Sequence, residues 1–108
     1  MNYEKTKIYK IWSPHGDDIY IGSTTKDLLS QRMAIHRSQY KAWIKKGVEK
    51  GYVSSFALFE MYGIENCYIE LLESYVCHNI EERRKKEGEY IRSLTCINKN
   101  YKKDYFNK

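Results

Sequence analysis

Lys7-Ile8-Tyr9-Lys10-Ile11 and Ile19-Tyr20-Ile21-Gly22-Ser23, bracketing Ser13-Pro14-His15-Gly16-Asp17-Asp18, are the stretches on which the fold turns. Residues 6–12 and 18–24 are rich in Ile, Tyr and Thr, which suits strands, and the Pro and Gly between them suit a hairpin loop longer than the tightest type. Outward from the hairpin, Thr24-Thr25-Lys26-Asp27 offers N-capping side chains for a helix over about 27–46. Gly47 and Gly51 interrupt the chain, and Ser54-Ser55 restarts a short helix to about Tyr62-Gly63. Residues 67–76 read as a third strand, and Asn79 caps a last helix running to about Leu94. The order is β-β-α-α-β-α, an α+β domain with a small three-stranded antiparallel or mixed sheet and helices packed on it.

Length and composition bound the remainder. A chain of 108 residues is expected to be one domain, 1–108, with a basic, aromatic, irregular tail from about residue 99. Eleven Tyr against three Phe and two Trp put a hydroxyl on most of its rings, so its interior or working surface is amphipathic. A net charge of +5 favours polyanionic partners. Cys67, Cys77 and Cys96 are an odd count without a C-x-x-C spacing, which favours a reduced chain over a disulfide scaffold. A zinc site from Cys77, His78 and Cys96 is the alternative use for two of them. No stretch has the length of a membrane span, and Met1 to Lys10 lacks the apolar core of a signal peptide, so an intracellular protein (cytoplasm or nucleus, not secreted and not membrane-bound) is expected.

The first helix carries its polar groups in an odd place. At 100° per residue Leu28, Leu29, Met33, Trp43 and Ile44 share one stripe. Asp27, Ser30, Ala34, Arg37, Ser38, Lys41 and Lys45 fall opposite. Arg32, His36 and Tyr40, one turn apart, fall inside the apolar stripe, where a charge must find an anion or several acceptors. The last helix repeats the anomaly: Ile80, Tyr90, Ile91 and Leu94 form its inner face, Glu87 lies among them, and Glu89 points away. An inward Glu87 either pairs with Arg32 or holds a hard divalent cation, whose shell one carboxylate, waters and a phosphate can complete. In the second strand Tyr20 and Gly22 project together, opposite Ile21 and Ser23, with Gly22 leaving open surface beside Tyr20.

Ile8-Tyr9, Tyr20-Ile21-Gly22-Ser23, Arg32, His36, Glu87 and Asn98, in that order, resemble the GIY-YIG nuclease family over roughly residues 7–98. Tyr-Ile-Gly of the second motif is intact, whereas Lys7 stands where the first motif has Gly. Arg32-Met-Ala-Ile-His36 has the Arg-x-x-x-His form, Glu87-Gly88-Glu89-Tyr90-Ile91 the Glu-x-x-Tyr-Ile form, and Asn98 the closing Ile-Asn position, with Asn100 as a substitute. The resemblance implies a stand-alone, homing-endonuclease-like catalytic domain: a metal-dependent endonuclease hydrolysing phosphodiester bonds in DNA. It implies catalytic roles for Tyr9, Tyr20, Arg32, His36, Glu87 and Asn98. Glu87 would hold one Mg²⁺ or Mn²⁺ and Arg32 would stabilise charge on the phosphate. Asn98 would fix the carboxylate or the substrate, and the base is Tyr9, Tyr20 or His36. A tyrosine base needs a lowered pKa, with the metal, Arg32 and His36 as the available causes.

Ser23, Tyr40, Lys41, Lys45, Lys46, Lys102 and Lys103 are the candidate DNA contacts, the lysines serving phosphates regardless of sequence. Tyr101, Tyr105 and Phe106, interleaved with tail lysines, suit stacking on unpaired bases. Specificity would come from the module itself, from a homo-oligomer or from a protein partner. Two other readings fit the same residues: a nuclease subunit for branched DNA that needs its partner, and a non-catalytic module that binds nucleic acid or protein.

Overall fold

A computed structural model describes residues 3–46, 53–94 and 96–97. Strands β1 (Lys7–Trp12), β2 (Tyr20–Thr24) and β3 (Tyr68–Ser74) and helices α1 (Leu29–Lys45), α2 (Phe56–Tyr62) and α3 (Ile80–Ser93) follow the expected order, with short 3₁₀ turns at Tyr3–Lys5 and Ile64–Asn66. The sheet is antiparallel throughout and ordered β2-β1-β3, so the first strand lies at its centre. Ile8, Tyr9 and Ile11 of that central strand are fully buried, because helices cover the sheet on both faces. Edge strand β3, by contrast, leaves Tyr68 and Leu71 exposed.

Strand alternation divides the core in two. Tyr9 and Ile11 face α1 and α2 and pack with Met33, Trp43, Phe56, Leu58, Phe59, Cys67 and Ile97. Ile8 and Ile21 face α3 with Cys96, flanked by Leu72, Tyr90, Ile91 and Leu94. Each fully buried isoleucine of these layers contributes about 1.5–3 kcal/mol. The pairing register sets Tyr9 opposite Gly22 and Ile11 opposite Tyr20, which brings both tyrosines of the hairpin to the α1 side.

Several local expectations are corrected. The cap of α1 is Leu28, whose N–H donates to Gln31 Oε1 at 3.0 Å. Thr24 and Asp27 are engaged elsewhere, with the Lys26 N–H (3.1 Å) and with Lys5 Nζ (3.2 Å). As a cap residue Leu28 lies outside the helical stripe and is exposed, as is Ile44 at the stripe's edge in the final turn. Arg37 is half-buried, its Nη2 reaching the Cys67 carbonyl at 3.5 Å. The Asn79 cap is present, Oδ1 accepting the Glu82 N–H at 2.9 Å. Gly63 ends α2 at φ +90°, a left-handed conformation that favours glycine, while its N–H donates to the Phe59 carbonyl. Cys67, Cys77 and Cys96 are buried free thiols, and among the described residues no three His, Cys, Asp or Glu side chains are placed to hold a metal, so the zinc alternative has no support. No described helix is long and apolar enough to cross a membrane. The breaks at Gly47 and Gly51, Asn98 and the tail lie outside the described residues.

Candidate active site

Tyr9, Arg32 and His36 meet at the inner side of α1. One turn apart on the helix, Arg32 and His36 both reach the phenol oxygen of Tyr9. Arg32 Nε donates to it at 3.1 Å, and His36 Nε2 lies 2.7 Å from it. Gly22 makes the arrangement possible. A Cβ on Gly22 would stand 2.5 Å from Tyr9 Oη and Cζ, so the surface expected to be open beside Tyr20 is filled by the Tyr9 ring. The Tyr20 ring meets the edge of His36, with centroids 5.6 Å apart, and Tyr9 meets the same imidazole at 5.9 Å.

His36 is fully buried, which is costly for an imidazole unless both nitrogens are satisfied. Its second nitrogen, Nδ1, lies 3.0 Å from the hydroxyl of Ser55, the residue that opens α2. Burial and the Arg32 guanidinium lower the His36 pKa to about 3, so the ring is neutral at physiological pH. Burial raises the Tyr9 pKa above its ordinary 10.0, against the opposing charge and hydrogen bond of Arg32. Tyr20 is raised as well, by burial first and then by the charges of Tyr9 and Glu87. The expected lowering of a tyrosine pKa is therefore not a property of the protein alone: desolvation outweighs Arg32.

On the opposite face of β2, Ser23 turns toward α3. Its hydroxyl donates to Glu87 Oε1 at 2.6 Å and accepts from Arg83 Nε at 2.8 Å. Glu87 therefore pairs with Ser23 rather than with Arg32. Ser23, expected as a DNA contact, is itself buried, with its hydroxyl engaged by Glu87 and Arg83. The charge of Glu87 is among the lesser influences that raise the Tyr9 and Tyr20 pKa values. Glu89, one residue pair further on, is exposed, as the helical periodicity requires.

Tyr40 joins a different neighbourhood: its ring packs on Trp43, Phe56 and Phe59 at 6.0, 5.4 and 5.2 Å. Lys41, Lys45 and Lys46 are exposed along the end of α1. Asn98, Asn100, Lys102 and Lys103 fall outside the described residues. Sequence reasoning missed Arg83 and Ser55. Arg83 carried a signal, since it stands one helical turn before Glu87 and shares its face. Ser55 carried none beyond its place at a helix start.

A three-stranded antiparallel sheet covered by helices, with a Tyr–His–Arg cluster on one face and a serine-held glutamate on the other, defines the class as a small α+β domain. The family model described as the GIY-YIG catalytic domain matches residues 5–100, and the chain belongs to that family. Membership implies nuclease chemistry. No curated protein and no solved structure matches the chain.

Proposed function

We propose that this protein is a metal-dependent DNA endonuclease that hydrolyses phosphodiester bonds by water attack assisted by Tyr9. One observation carries the reading: the Tyr9 oxygen is held by both Arg32 and His36. The donor set suits a hard cation. Glu87 supplies one carboxylate, half-buried and oriented by Ser23. Mg²⁺ or Mn²⁺ held there, with water and substrate phosphate completing its shell, would act as a Lewis acid toward phosphate and leaving oxygen.

The chain's own groups divide the remaining work. Arg32 spends its Nε on Tyr9, and its terminal amino groups are the donors that suit a phosphate developing charge. His36, neutral and bonded at both nitrogens, is poorly suited to take the proton of the attacking water. Tyr9 is better suited, because its phenolate would be stabilised by the guanidinium beside it. With Tyr9 as its phenolate, the water proton passes to the Tyr9 oxygen as the new P–O bond forms, and the leaving oxygen departs with the electrons of the broken P–O bond and takes a proton from solvent. Tyr20, packed on His36, serves to orient, and Asn98 keeps the role that the family pattern implies. Exposed Lys41, Lys45 and Lys46 offer phosphate contacts without sequence preference.

The test is incubation of supercoiled plasmid with the protein and Mg²⁺, Mn²⁺ or chelator. Nicking or linearisation that requires the cation is expected. DNA binding with no cleavage under any cation would refute the reading in favour of a binding module. A preference for branched over linear duplex would point to a structure-selective enzyme.

A further inference from the structure

We propose that Arg83 is a positioning residue for Glu87: its Nε–H, given to the buried hydroxyl of Ser23, commits that hydroxyl's one hydrogen to the Glu87 carboxylate and so presets the carboxylate for a divalent cation. The inference rests on the reading of Glu87 as the cation's ligand.

Three side chains from two elements make the connection. Ser23 projects from β2 toward α3 and is 6% exposed, while Arg83 and Glu87 stand one turn apart on α3, both half-buried. Arg83 Nε lies 2.8 Å from Ser23 Oγ, and Ser23 Oγ lies 2.6 Å from Glu87 Oε1. Chemistry fixes the direction of each bond. A guanidinium nitrogen donates and never accepts, so the first bond runs from Arg83 to Ser23. A hydroxyl has a single hydrogen and a carboxylate oxygen accepts, so the second runs from Ser23 to Glu87. The guanidinium at one end and the carboxylate at the other make both bonds charge-assisted, roughly twice as strong as neutral ones, and each polarises the next.

The position of Arg83 in its helix supports a task beyond local stability. It falls at the end of the first turn of α3, behind Glu81 and Glu82, where the helix dipole favours acidic side chains and opposes a cation. Its order relative to Glu87, cation before anion, is also the weaker orientation for direct pairing along a helix. Local helix energetics therefore do not account for an arginine here, whereas the bond to Ser23, 60 positions away in the chain, does. Without that donor the Ser23 oxygen loses a partner in the contact between sheet and helix, and its hydroxyl can turn away from Glu87. The carboxylate would then be ordered only as the cation binds, at a cost in affinity.

The experiment compares two uncharged replacements of Arg83 that differ at the donor position. Arg83→Gln places a side-chain N–H the same number of bonds from the backbone as the arginine Nε, and Arg83→Met places a methyl group there. Mn²⁺ binding to the full chain, without DNA, is read by electron paramagnetic resonance of the free ion, with circular dichroism as the check on folding. Arg83→Gln should bind at least as tightly as the parent, since it keeps the donor and removes a repelling charge. Arg83→Met should bind about tenfold more weakly than Arg83→Gln. Equal affinity in the two variants would overturn the proposal. A second arm needs no metal: in ¹H–¹⁵N spectra the Arg83 Nε–H should exchange with solvent more slowly than that of exposed Arg84, and Ser23→Ala should remove this protection. Equal exchange at Arg83 and Arg84 in the parent would also overturn it. Equal Mn²⁺ binding by the parent and Glu87→Ala would instead sink the reading of Glu87 as the cation's ligand, a result distinct from equality of the Gln and Met variants.

Discussion

Gly22→Ala is the substitution on which the packing of this site depends most sharply. The new methyl would lie 2.5 Å from Tyr9 Oη and Cζ, about 0.9 Å inside the 3.4 Å at which ordinary contact begins. Tyr9 cannot yield cheaply, because its ring is fully buried in the α1 core and its hydroxyl is fixed by bonds of 2.7 Å to His36 and 3.1 Å to Arg32. Retreat by ~1 Å stretches both bonds beyond useful length, and displacements of that size cost roughly 10²-fold in rate. Overpacking of this kind also destabilises by about 1–3 kcal/mol. In a domain of this size that lowers Tm by roughly 4–8 °C for each kcal/mol. Thermal unfolding and single-turnover plasmid cleavage of Gly22→Ala beside the parent measure both effects. A variant with parental Tm and parental cleavage rate would refute the claim that Gly22 exists to seat the Tyr9 phenol.

Three further outcomes are expected. Because the Tyr9 pKa lies above 10.0, the phenolate fraction grows about tenfold per pH unit, so log rate should climb with pH from about 6.5 to 9 without a plateau; a plateau centred on the imidazole range would instead make His36 the base. His36, lowered from 6.5 to about 3, is protonated more readily in the unfolded chain, so its contribution to stability is present above pH 6.5 and is lost as pH falls toward about 3, by at most ~5 kcal/mol. NMR titration checks this: the His36 ring should stay neutral from pH 7.5 to 4.5 while exposed His78, raised by Glu82, titrates above its ordinary value. Ser23→Ala removes the hydroxyl joining Arg83 to Glu87, and should weaken the apparent affinity for Mg²⁺ about 10-fold or more in cleavage titrations, an unchanged Mg²⁺ dependence arguing against a holding role.

Much of this was legible in the sequence where local rules decide. The hairpin, the Asn79 cap and the choice of Glu87 over Glu89 follow from strand alternation, capping chemistry and helical period, each settled within one element. Arg32 and His36 betrayed themselves as polar groups inside an apolar stripe, and both turn out to serve one phenol oxygen. Tyr40 lay on the same stripe but is accounted for by its aromatic neighbours, since a tyrosine can pack where an arginine cannot. Ser55 and the reason for Gly22 were not legible, because each depends on a partner brought from a distant part of the chain. Periodicity also could not weigh burial against charge at Tyr9, where the raised pKa reflects how deeply the sheet's central strand is covered.

The most direct test of the central claim is cleavage of supercoiled plasmid in Mg²⁺ by the parent chain beside Glu87→Ala and Arg32→Ala, each checked for folding by circular dichroism and for DNA binding. The account predicts cation-dependent cutting by the parent, lost by at least ~10³-fold in both variants while fold and most DNA binding persist. Parent-like cutting by folded Glu87→Ala would contradict it, because the carboxylate held by Ser23 would then play no part in the chemistry.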